Sequence, residues 1–251
     1  MTTTARPETR LKAAVIDRLF EASHVDSDSV LVSEMVVDNW SRRADLVLAN
    51  GKLWAFEIKS ESDKLARLPG QLASFAYHFE KFVVVVAARF EEPVRKMIPE
   101  GVGLWVEERP GVLVERVRPR TMAMAKEASI ALMTAVELRS LLACNGVANL
   151  KDVPRLRLEE LARDLPISDL ANAARNAIKR RHRKRHADFV KRRAAVDTCR
   201  AMRTLRKFGK RNVESTMEEP YVIALPPVHI AEDHPLFVRA PAGAVLKRRV
   251  V

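Results

Sequence analysis

Leu11, Val15, Ile16, Leu19 and Phe20 recur at helical spacing, so residues 6–23 read as an amphipathic helix. Val30 to Val37 is apolar and β-branched except at Ser33, Glu34 and Met35, which is the pattern of a strand. Residues 44–49 and 52–59 form two more strands around Asn50-Gly51, a dipeptide suited to the backbone of a hairpin turn. Ser62 or Asp63 can cap a helix running to about Glu80, and Pro69 inside that stretch either starts the helix proper or kinks it. Phe82 to Ala88 is an unbroken apolar run of strand length, as expected for a strand covered on both faces. Residues 102–106 and 112–118 read as edge strands. The order α-β-β-β-α-β describes a small sheet covered by helices.

Strand signals stop after about Thr121. Residues 126–144 read as one helix ended by Asn145-Gly146, residues 156–164 as a short helix, and Ser168 with Asp169 as the cap of a long helix from about 170 into the 190s. Residues 213–251 hold five prolines and little periodicity, which suggests an irregular tail. The expected organisation is therefore an α/β domain over 1–120, a small all-α module over 121–212 and the tail over 213–251.

Charge divides along the same line. The 251 residues carry a net charge of +12, yet residues 1–120 hold 18 basic and 18 acidic side chains. The whole excess lies in the second half, and residues 175–211 hold 16 basic and 2 acidic side chains. Arg180, Arg181, Arg183, Lys184, Arg185, Lys191, Arg192 and Arg193 are the candidate contacts to an anionic partner, nucleic acid first, against the plainer reading of a solvated helix face. Cys144 and Cys199 fit no metal or redox spacing, which points to reduced thiols in a cytoplasmic protein. No apolar run approaches the roughly 18 residues of a membrane span, and no secretion signal opens the chain. His182 and His186 are one helical turn apart but sit among cations, a poor place for a metal.

The candidate chemistry sits on the hairpin. Glu57 and Lys59 are two apart on one strand and share a face, with Asp45 on the strand before. A two-residue loop would turn Asp45 to the opposite face. A three-residue loop, Ala49-Asn50-Gly51 with Gly51 left-handed, pairs Leu48 with Lys52 and sets Asp45 opposite Ala55, on the face of Glu57 and Lys59. That register gathers Leu46, Leu48, Trp54, Phe56 and Ile58 on the other face, so burial favours it. Glu34 is expected on the strand face of Val30, Val32 and Val36, where a metal or a lysine would explain a carboxylate. Glu8 and Glu21 on the first helix are weaker candidates. Arg67 and Gln71, four apart, can face the hairpin and hold a water or a phosphate, while Phe75 and Tyr77 are expected to pack.

The stretch Arg43-Ala44-Asp45, then Phe56-Glu57-Ile58-Lys59-Ser60, then Asp63, Arg67-Leu68-Pro69 and Gln71, resembles the PD-(D/E)XK nuclease superfamily, and within it a group of small bacterial and phage proteins. The likeness covers roughly residues 6–90, and segment 126–185 is similar to the C-terminal part of that group. It implies a restriction-endonuclease-like αβββαβ core with a mixed sheet. It implies Mg²⁺ or Mn²⁺ held by Asp45, Glu57 and Ile58, with Glu34 or Glu8 as a further acid, and Lys59 beside the scissile phosphate. Two departures stand out: Ala44 replaces the usual proline, and Phe75 stands where some relatives carry a tyrosine. The expected function is a metal-dependent nuclease, with DNA the first-choice substrate, acting in repair, restriction or phage defence. A non-catalytic nucleic-acid-binding protein and an RNA-processing nuclease are the alternatives. Oligomeric state is left open, with a homodimer one form that related nucleases take to cut both strands.

Overall fold

A computed structural model describes residues 6–37 and 42–205. The expected tail over 213–251, and the last part of the basic segment, lie outside the described residues. The chain begins with helix α1 (Pro7–Glu21) and the antiparallel strands β1 (Val30–Val37), β2 (Arg42–Ala49) and β3 (Leu53–Lys59). Helix α2 (Leu68–His78) then crosses to β4 (Lys81–Ala87), which is parallel to β3. A 3-10 turn and helix α3 (Glu91–Met97) lead to β5 (Gly103–Arg109), parallel to β4, and β6 (Val112–Val117) returns antiparallel. The result is a six-stranded mixed sheet in the order β1 to β6.

Alternation along the strands divides the core in two. Leu31, Leu46, Leu48, Trp54, Phe56, Ile58, Val83 and Val85 face α1. Val30, Val32, Val47, Leu53, Ala55, Val84 and Val86 face α2 and the helices that follow the sheet. β4 contributes to both faces, as its unbroken apolar run anticipates. Its neighbour β5 does as well, so β5 is an interior strand and not the edge strand expected over 102–106; only β6 closes that side.

The single helix expected over 126–144 is two: α4 (Lys126–Ala131) and α5 (Ala135–Cys144). Thr134 breaks it, its hydroxyl accepting from Glu137 N–H while the Glu137 carboxylate accepts from Thr134 N–H. That reciprocal box spans Thr134-Ala135-Val136-Glu137 and is a start signal hidden inside an apolar stretch. α6 (Arg155–Ala162) follows, then α7 (Ile167–Arg193) and the single turn α8 (Thr198–Ala201). α7 starts at Pro166 and not at Ser168, whose hydroxyl donates to Asp169 instead of capping. α2 starts beside Pro69 without a side-chain cap, because Asp63 is engaged by Ser60, whose N–H and hydroxyl both donate to it.

α7 also changes the expected domain plan. It is 27 residues long, about 40 Å of helix. Leu170, Ala174, Ala177 and Ile178 join the cluster on one sheet face, and Phe189 joins the other, so α7 spans the β1 edge and reaches both cores. There His186 Nδ1 accepts the Leu31 N–H at 3.2 Å, and Lys179 reaches Asp28 at 2.5 Å. Covering an edge strand in this way removes a site for unwanted pairing. Residue 120 thus marks the end of the strands and not of the core.

Candidate active site

The β2–β3 hairpin decides whether Asp45 meets Glu57 and Lys59. The ladder pairs Ala49 with Leu53, Leu48 with Trp54, Val47 with Ala55 and Leu46 with Phe56. Its loop is Asn50-Gly51-Lys52, one residue later than expected, and continuing the register sets Asp45 opposite Glu57 and not opposite Ala55. The shift comes from Asn50: its side-chain oxygen accepts the Lys52 N–H at 2.9 Å and its amide donates to His24 O at 3.0 Å. Gly51 is not among the left-handed residues, so the expected bulge is absent. Two loops of equal length leave the face assignment unchanged, and Leu46, Leu48, Trp54, Phe56 and Ile58 do form the opposite core.

At Asp45 the two strands part. Its carboxylate accepts the Ile58 N–H at 2.8 Å, taking the place of a ladder bond. The Ile58 side chain is buried in the α1-side core, so only its main-chain oxygen could ligate a metal. Glu57 is 1% exposed. Its Oε1 accepts from Lys59 Nζ and Gln71 Nε2, both at 2.5 Å, and Lys59 Nζ also donates to Gln71 Oε1 at 3.1 Å. Its Oε2 is buried without a partner, an uncommon and costly state for a carboxylate oxygen. Burial, then the Asp45 charge, pushes the Glu57 carboxyl up to about 7. Burial also raises Asp45, against the pull of the Lys12 ammonium and the Ile58 N–H.

Glu34 departs from its expected face. Its φ of 59° is left-handed, which interrupts the strand's alternation. Met35 and Val37 therefore follow Val30 and Val32 into the core, while Val36 is 37% exposed. Such a backbone costs about 1–3 kcal/mol and is held by its surroundings. Here Lys12 Nζ and Arg43 Nε each lie 2.6 Å from a Glu34 oxygen. Carboxylate oxygens of Glu34, Asp45 and Glu8 lie within 4.8 Å of one another. Glu8 is thus the acid that α1 adds; Glu21 is exposed at the helix end.

Hard oxygen donors from three elements suit a hard divalent cation. Glu8, Glu34 and Asp45 would hold it; Glu57, expected as a ligand, falls outside that group, and its Oε2 is left without a hydrogen-bond partner. Lys12 is the site residue that sequence reasoning missed. Its side chain is only 7% exposed. The available signal was its place between the apolar positions Leu11 and Val15 of α1, where a lysine reaching the core needs a carboxylate.

The other candidates sort as follows. Gln71 joins the site, Arg67 is exposed, and Arg42 lies over Gly70, where an added Cβ would sit 2.7 Å from its guanidinium. Phe75 is buried, but Tyr77 is 46% exposed and does not pack as expected. On α7, Arg181 is committed to Leu132 O and Glu137, Arg183 to Asp28, and Arg193 to Asp17. Arg180, Lys184, Lys191 and Arg192 are exposed and Arg185 is half-buried, with no ion pair among the described residues. His182 joins no metal-ligating cluster there, and burial lowers the pKa of His186, in keeping with a neutral acceptor ring. No described helix is long and apolar enough to cross a membrane.

A family model described as bacteriophage P4 protein cII matches residues 1–206. Protein cII of Enterobacteria phage P4 is 35% identical over 189 residues, covering 74% of this chain and 71% of that protein. Among solved structures, a protein of unknown function from Silicibacter pomeroyi is matched over 58% of this chain and 97% of its own, at 19% identity and a TM-score of 0.39, too low to argue from.

Proposed function

The chain belongs to the bacteriophage P4 protein cII family, and from that premise we propose that it is a metal-dependent nuclease on a restriction-endonuclease-like core. The observation that carries the reading is the meeting of Asp45, Glu57 and Lys59 on one sheet face, beside the carboxylates of Glu34 and Glu8. The order α1-β1-β2-β3-α2-β4, antiparallel through β3 and parallel into β4, supports the resemblance to the PD-(D/E)XK superfamily.

Mg²⁺ or Mn²⁺ at these carboxylates would supply an acidified water and neutralise charge gathering on a phosphate. The chain's own residues set the rest. The Ile58 N–H fixes the Asp45 carboxylate, and burial keeps Glu57 and Lys59 in a low-dielectric interior, where a charge acts more strongly than in bulk water. Lys59, bridged to Glu57 and Gln71, is an ammonium held in place to meet a phosphate oxygen. Gln71 orients both.

The test is incubation of the purified chain, with Mg²⁺ or Mn²⁺, against linear, nicked, branched and single-stranded DNA and against RNA. Cleavage of at least one form is expected, with DNA preferred. Lys59→Ala should lower the rate by about 10²–10³-fold, the scale for removing one transition-state donor, while binding persists. Intact substrates throughout would end the proposal, and preferential RNA cleavage would make it an RNA-processing nuclease.

One observation favours the non-catalytic alternative. The Lys12 ammonium already stands 2.6 Å from Glu34, so part of the carboxylate charge is balanced without metal. Calorimetric titration with Mn²⁺ separates the readings: uptake near one equivalent supports hydrolysis, and none supports a binding protein.

A further inference from the structure

A cavity of about 550 Å³ beside the site is bounded by β1 from Val32 to Val37, the α4–α5 turn, α6 and α7. Glu34, a member of the carboxylate cluster, is part of its lining. Four guanidinium groups line it as well: Arg155 and Arg163 from α6 and its C-terminus, Arg181 and Arg185 from α7. Arg155 is tied to Glu159 and Met133 O, and Arg181 to Glu137 and Leu132 O. Arg163 and Arg185 make no side-chain hydrogen bond or ion pair among the described residues. The three acids of the lining, Glu34, Glu127 and Glu159, are fewer than the four guanidiniums; Glu34 is matched by Lys12 and Arg43, and Glu159 by Arg155.

We propose that this cavity is the entry channel for a single-stranded polynucleotide, whose phosphates meet Arg163 and Arg185 before the backbone reaches the carboxylates at Glu34. The proposal rests on the nuclease reading and adds the strandedness of its substrate. A space of this volume is the size of a small-ligand pocket. It is walled by a strand on one side and a helix on the other. A single strand fits such a slot; a duplex needs an open surface or a groove-filling element. An extended peptide adding to the β1 edge is the competing occupant. The left-handed Glu34 breaks the edge ladder in its middle, which disfavours regular strand addition, and the two uncommitted guanidiniums favour phosphate.

The experiment is fluorescence anisotropy on the full chain in EDTA, where no cleavage intervenes. The probes are a labelled 12-nucleotide single strand and a labelled 12-base-pair duplex. Inorganic pyrophosphate serves as a competitor, to distinguish a lone phosphate site from a strand site. Single-strand binding should exceed duplex binding about tenfold, and pyrophosphate should compete only weakly. In Arg163→Ala/Arg185→Ala, the dependence of log affinity on log salt should flatten by about 1.4, two single-strand phosphates at roughly 0.7 each. Circular dichroism should show an unchanged melt, since the replaced Arg163 is exposed and Arg185 half-buried. Equal binding of duplex, or a salt slope untouched by the double substitution, would overturn the proposal. Metal uptake by wild-type protein without DNA reports separately on the nuclease reading, so a failure of one is not mistaken for a failure of the other.

Discussion

The β2–β3 hairpin and α7 hold the two chemistries that the sequence advertises, and they keep them in opposite ways. On the hairpin, the charged side chains are buried and bonded to one another: Lys59 is 5% exposed, Glu57 is 1% exposed, and each has the other as a partner. On α7, cations spread around the helix, and their roles differ residue by residue. Arg181, Arg183 and Arg193 fasten the helix to α5, the β1 approach and α1, while Arg180, Lys184 and Arg192 face solvent. A motif three residues long therefore specifies a site, because strand alternation admits only two faces. A run of like charge does not, because helix geometry distributes it among packing, pairing and solvent.

The sharpest way to break this comparison is to ask whether α7 is an attachment or part of the core. Phe189 is fully buried in the α1-side cluster, with its ring centroid 6.4 Å from that of Phe20. Phe189→Ala should cost about 3–5 kcal/mol, and thermal unfolding should remain a single transition. A separate early transition for the helical part, leaving the sheet's melt in place, would restore the two-domain plan.

The hairpin has its own test in pH. Glu57 sits near 7 in the folded chain, above its ordinary 4.5. The native state therefore keeps a proton that the unfolded chain releases. This stabilisation is full below about pH 4.5 and is lost as pH rises through about 7. His186 acts in the opposite sense, since its lowered value removes stability on acidification. The Tm difference between wild type and Glu57→Gln isolates the first effect. In metal-free protein, wild type should lose stability relative to the variant between pH 5 and 8; parallel curves would mean that the carboxyl is not held protonated.

Lys12 links α1 to Glu34 on β1, and its ammonium stands where a bound cation would compete for the same carboxylate. Lys12→Met leaves Glu34 with Arg43 alone, so the metal-free chain should melt lower. Added Mn²⁺ should then raise the Tm of the variant by more than that of wild type. Differential scanning fluorimetry reads both, and an equal rise would show that the ammonium and the metal do not share a place.

How much of this was legible beforehand follows from the range over which each feature is decided. The faces of β2 and β3 follow from local alternation, and the interior place of β4 from its unbroken Phe82–Ala88 run. Glu8, Glu34 and Lys12 come together from residues 4 to 26 apart, through the path of α1 across the sheet, which no short window contains. Glu34's left-handed backbone was illegible for another reason: nothing in Val-Ser-Glu-Met-Val marks it, and it is held by Lys12 and Arg43. Thr134-x-x-Glu137 was readable, but the apolar pattern around it concealed the break.

The smallest effect tests the α7 side of the comparison most finely, in two adjacent arginines. Arg193 lies 2.8 Å from Asp17, bonds to Thr198 and covers the Phe20 ring at 4.2 Å. Arg192 is exposed and makes no ion pair among the described residues. Arg193→Ala should cost about 1–2 kcal/mol, the scale of one charged hydrogen bond with a cation–π interaction, and should leave the salt dependence of DNA binding alone. Arg192→Ala should stay within about 0.5 kcal/mol of wild type and flatten that dependence by about 0.7–0.9, the share of a single neutralised phosphate. If instead both substitutions leave the salt slope unchanged, the outward charge of α7 serves solvation only, and the anion-binding role retreats to the channel beside Glu34.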